Sequence, residues 1–101
     1  MSERLKQLQA ELDALPDTGT DRERLLLTAA KLMGTLMVAI DYSDGDARNK
    51  ELLAKTAENV SNISSGLGPG HPATLILMRM LLIALFITVN GREPTDADLE
   101  V

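Results

Sequence analysis

The run from Thr74 to Val89, TLILMRMLLIALFITV, contains only three side chains that are not apolar, Thr74, Arg79 and Thr88. A helix apolar on every side belongs in a protein core, in an oligomer interface or in lipid. At 16 residues the run measures about 24 Å as a helix, short of the roughly 30 Å of hydrocarbon that about 20 residues span. Arg79 opposes insertion by roughly 2.5–3.5 kcal/mol if it lies near mid-membrane. A buried helix, with Arg79 at a rim or paired with a carboxylate, is therefore favoured. A small membrane-associated protein anchored by Thr74 to Val89 is the alternative.

A chain of 101 residues with 45% apolar content is read as one globular domain, 1–101. Tyr42 and Phe86 are the only aromatic residues, so the core has to be built from Leu, Ile, Val, Met and Ala, a composition that favours helices. Cysteine is absent, which removes disulfides, thiolate metal sites and a cysteine nucleophile. No apolar stretch follows the charged start MSERLKQLQAEL, so no signal peptide is expected and a cytoplasmic location is the default. The net charge is −5 and no segment gathers Lys and Arg into a phosphate-neutralising patch, so nucleic acid is not an expected partner. Much of the acidity lies in the C-terminal tail 92–101, read as a solvated segment with at most one turn.

Four helices are predicted. Ser2 caps the first, about 3–15, in which Leu5, Leu8, Leu12 and Leu15 form a narrow stripe that ends at Pro16. Thr20 and Glu23 have the spacing of a capping box and open the second, about 21–41, whose polar side is the single line Arg24, Thr28, Lys31 and Thr35. Gly34 inside it suits a close helix crossing. The acidic turn Asp41 to Asp46 does not fit a calcium loop, because Asp46 and Leu52 stand where glycine and glutamate are needed; Ser43 or Asp44 is available instead to cap the next helix. The third helix, about 46–65, is amphipathic through Leu53, Ala57 and Val60 and ends at Gly66. The fourth runs about 72–89, opened by Pro72 and closed by Asn90-Gly91. Asn59-Val60-Ser61 and Asn62-Ile63-Ser64 match the glycosylation acceptor pattern, but on a helix and without a secretory signal they read as coincidence.

The loop between the last two helices, Gly66 to Pro72, lacks the Gly-Lys-Ser/Thr ending of a phosphate-binding loop and follows a helix rather than a strand. Leu67-Gly68-Pro69-Gly70-His71-Pro72-Ala73-Thr74, followed by Gly91-Arg92, resembles the opening of a kinesin-light-chain type of tetratricopeptide repeat. The resemblance covers about a quarter of the chain, the interval to Gly-Arg is about two residues longer than in that family, and there is no second copy where repeat arrays need about three. It implies a stiff loop launching a helix and nothing more.

The chemistry-bearing residues are few. His71 is the only histidine and meets no nucleophile-and-base arrangement, so no catalytic residue, cofactor or metal site is assigned and the chain is read as not an enzyme. Tyr42 is expected at a boundary with its hydroxyl in water. A ligand-binding bundle with a pocket near His71 and Tyr42 is a further alternative. The second and fourth helices are too apolar for the first and third to cover, and a second copy of the chain is the simplest cover. The resulting expectation is an all-α, four-helix bundle-like domain completed by homodimerisation through its second and fourth helices. It would act by binding another protein, as a regulator, inhibitor or chaperone-like adaptor. Met33, Met37, Ile40, Met78, Met80, Leu82 and Phe86 are the candidate protein-binding residues, with flexible methionines suited to a groove for a partner helix.

Overall fold

The computed structural model describes residues 2–40, 42 and 47–99. Among them are four long helices, α1 (Glu3–Asp13), α2 (Asp21–Ala39), α3 (Ala47–Leu67) and α4 (Pro72–Asn90), and a single closing turn, α5 (Asp96–Leu99). The fold is all-helical. The acidic residues Asp41, Asp44 and Asp46 and the capping candidate Ser43 lie outside the described residues, as does the end of the tail.

Local chemistry sets most of the helix ends. The Ser2 hydroxyl accepts the Leu5 amide, and Thr20 and Glu23 form the reciprocal capping box. His71 caps α4, its Nδ1 accepting the Ala73 amide at 3.1 Å, and Pro72 follows at the first helical position. Gly91 closes α4 at φ 67°, donating to the Ile87 carbonyl at 2.8 Å.

Three boundaries differ from the sequence reading. α1 stops at Asp13 rather than 15, because a residue before proline is pushed out of helical backbone, and Leu15 precedes Pro16. α2 stops at Ala39, and Ile40 is already extended at ψ 131°. α3 continues through Gly66 to Leu67, and the left-handed position falls to Gly68, at φ 96°. Gly66 serves packing instead: a Cβ there would lie 2.7 Å from Leu26 Cδ1 on α2.

α2 and α4 pack against each other, and each also packs against both α1 and α3, while α1 and α3 do not touch among the described residues. α2 and α4 thus form the diagonal of a four-helix arrangement. The crossing is close at Gly34, where an added Cβ would lie 2.8 Å from Leu12 Cδ2 and 3.7 Å from Met80 Sδ. Leu5, Leu12, Met37, Leu77, Met80 and Val60 fill the centre and are fully enclosed. A radius of gyration of 13.4 Å equals the roughly 13 Å of a compact 100-residue domain, so any apolar surface left outside is not the product of an open fold.

The described part of the acidic tail keeps its charged side chains in solvent and forms one turn, but it is also anchored through Pro94 and Leu99. It is a strap fastened across the start of α1: Pro94 is buried, Leu99 packs on the core, Ser2 Oγ donates to Glu93 at 3.0 Å, and Arg4 pairs with Asp96 at 2.6 Å. Arg92 pairs with Asp98 at 2.9 Å and lies 5.0 Å above the Phe86 ring. Thr95 caps the turn through Asp98, whose carboxyl is held down at about 2 by hydrogen bonds from Arg92 and Thr95.

Candidate interaction surface

α4 carries two apolar stripes on opposite sides. Ala73, Leu77, Met80, Ala84 and Ile87 recur at alternating spacings of four and three and are buried against the other helices. Leu75, Met78, Leu82, Leu85 and Val89 recur at three and four and are exposed, from 44% at Leu85 to 81% at Val89. The second stripe is a coiled-coil seam with nothing packed on it, about 21 Å long.

The seam stands as a ridge between two grooves of different character. Toward α1 lies a groove of about 740 Å³ lined in part by Arg4, Glu11, Arg79, Leu82 and Leu99. Toward α3 lies one of about 440 Å³, walled by Ala57, Ser61, Ser64 and Ser65 and reaching Thr74 and Met78. The first wall is charged, while the second is built from small neutral residues. Arg79 is exposed beside the ridge, at the rim of the α1 groove, and enters no ion pair among the described residues.

The candidate residues separate cleanly. Met78 and Leu82 are half-exposed on the ridge and Phe86 is partly covered beside it. Met33, Met37 and Met80 are buried in the chain's own core, where flexible thioethers fill gaps between the helices. Ile40 is half-buried at the end of α2, away from the ridge, in a cleft shared with Tyr42 and Ile87. Leu75, Leu85 and Val89 complete the surface and were missed, although their spacing was in the sequence: within an all-apolar run the inner and outer stripes have the same rhythm.

α2 contributes to a different surface. Ala30, Met33, Gly34 and Met37 face inward, and Leu25, Leu32 and Leu36 lie on the exposed side of the same helix. Because α2 and α4 pack on each other, their outer faces look in different directions. With α1 and α3 each packed on both α2 and α4, the exposed leucines of α2 and the ridge of α4 form separate apolar surfaces.

His71 and Tyr42 do not share a pocket. His71 caps the start of α4, and Tyr42 lies in a cleft with Ile87 and Gly91 at its end, some 16 residues or about 24 Å along the helix. The Tyr42 hydroxyl is not in water either: it donates to the Met37 carbonyl at 2.6 Å, and burial pushes its pKa up to about 12. Among the described residues no three His, Asp or Glu side chains converge to hold a metal ion.

At 19 residues, about 28 Å, α4 is longer than the apolar run inside it and is long and apolar enough to cross a membrane by length and composition. The length argument against a span therefore does not stand; what opposes one is the inner stripe, which is packed on α1, α2 and α3. No family model, curated protein or solved structure matches this chain.

Proposed function

We propose that this chain is a non-enzymatic helical protein that forms a homodimer through the outer ridge of α4 and works in the cytoplasm by holding another protein, as a regulator, inhibitor or chaperone-like adaptor. The observation that carries the reading is the ridge itself: five large apolar side chains at coiled-coil spacing on the outside of a compact domain. Isolated exposed leucines need no explanation, but a contiguous seam does. A seam of this kind is self-complementary, and two-fold pairing is the commonest way to cover one. With α4 occupied by the second copy, Leu25, Leu32 and Leu36 of α2 stay on the outside of the dimer for a different protein.

Light scattering on a sizing column tests it. The untagged protein is expected at twice the chain mass, and the Met78→Glu/Leu85→Glu variant at the chain mass with unchanged helical circular dichroism. A wild-type monomer that binds no apolar dye overturns the reading. The length of α4 supports a second reading, membrane association, and recovery of the wild type only from detergent-solubilised membranes would favour it over the first.

A further inference from the structure

Resting on the dimer proposed above, we infer that the two copies pair antiparallel along α4, with the two-fold axis between Leu82 and Leu85 and with Arg79 of each copy laid against the acidic strap of the other. The two shoulders of the ridge decide the direction. With Leu75, Leu82 and Val89 at a positions and Met78 and Leu85 at d, Arg79 and Phe86 fall at e, toward α1, whereas Thr74 and Leu81 fall at g, toward α3. The α1 shoulder carries the strap, where the three carboxylates of Glu93, Asp96 and Asp98 outnumber the guanidinium groups of Arg4 and Arg92. The α3 shoulder is the wall of alanine and serine.

In a parallel pair an e residue meets the other helix's g side, so Arg79 would be pressed against that neutral wall and lose hydration to a groove lined by serine hydroxyls and apolar groups rather than carboxylates. In an antiparallel pair e meets e, and Arg79 meets the acidic shoulder. The Asp96 side chain is 91% exposed and has one oxygen engaged with Arg4, so it can accept a second cation.

Charge also selects the register. Antiparallel seams pack a against d, and two alignments engage four of the five ridge residues. Leu82 opposite Met78 sets the two Arg79 side chains beside each other. Leu82 opposite Leu85 separates them by about 14 Å along the axis and brings each opposite residue 88 of the other copy, next to the turn from which the strap begins. The second alignment also stacks Met78 on Val89.

The absence of cysteine makes the test direct, because an introduced thiol is the sole one in the chain. Met78→Cys and Val89→Cys are prepared separately, then mixed and oxidised mildly. The expected result is a disulfide-linked dimer in the mixture and none in either variant alone, since like positions are about 16 Å apart along the axis in this register. A linked dimer from Val89→Cys alone means parallel pairing and overturns the inference while the dimer stands. A mixture that stays unlinked although light scattering finds it dimeric also overturns the arrangement alone. A monomeric wild type removes both.

Discussion

Gly34 of α2 and Leu12 of α1 are in such close approach that a Cβ on the glycine would lie 2.8 Å from the leucine Cδ2, and Met80 of α4 closes the same space from the other side. Three helices meet at the one position in the α2 interior that has no side chain. The missing side chain lets Leu12 of α1 seat against the α2 backbone beside Met80, inside a packing that turns one stripe of α4 inward and leaves the other outside.

The two helical glycines should therefore respond oppositely to alanine or larger residues. Leu12 is fully enclosed, so Gly34→Val overpacks a region with no room to yield and should lower stability by about 1–3 kcal/mol. Gly66 faces the end of the Leu26 side chain, which is only half-buried and can rotate aside. Gly66→Ala should gain helix propensity and raise stability by up to about 1 kcal/mol. Urea melts of the two variants against the parent check both signs.

The two stripes of α4 should separate folding from association. Leu77 is fully buried and Leu82 is 51% exposed, although they lie five residues apart in one apolar run. Leu77→Asp buries an unpaired carboxylate at a cost of several kcal/mol and should abolish the helical signal at 25 °C. Leu82→Asp should keep that signal and a cooperative melt while the light-scattering mass falls to one chain. Loss of structure in both variants would mean that the outer stripe is as buried as the inner one.

The strap should loosen in acid. Asp98, ordinarily near 3.8, is held at about 2 by the Arg92 and Thr95 hydrogen bonds. A depressed carboxyl stabilises the folded form above its unfolded pKa and loses that contribution as the pH falls through its folded one, so the strap is expected to be tight above about 4 and to loosen between there and about 2. A carboxyl-carbon NMR titration should give the low midpoint. Arg92→Ala should move it upward toward the ordinary value; an unchanged midpoint would show that Arg92 is not the cause.

Much of the helical framework was legible in the chain because its signals are local. Ser2, the Thr20 and Glu23 pair, Pro72 and Gly91 act through hydrogen bonds and backbone restrictions that reach only a few residues, and each marks the end it was expected to mark. Gly66 misled for the complementary reason. A glycine near a helix end has the same letter whether it turns left-handed or makes room for Leu26, and only the neighbouring helix distinguishes the two.

By itself, the sequence determined an all-helical chain with more apolar surface on its fourth helix than one packing face requires, because residue type and spacing fix both propensity and pattern. It could not say which residues form the outer surface. Ala73, Leu77, Met80, Ala84 and Ile87 share their heptad rhythm with Leu75, Met78, Leu82, Leu85 and Val89, so nothing along the chain distinguishes core from ridge. The tertiary structure decided it through the packing of α4 on α1, α2 and α3, which turns one stripe inward, and through the ion pairs and Pro94 that fasten an acidic tail to α1. Both depend on residues far apart in sequence meeting in space, a relation that periodicity does not encode.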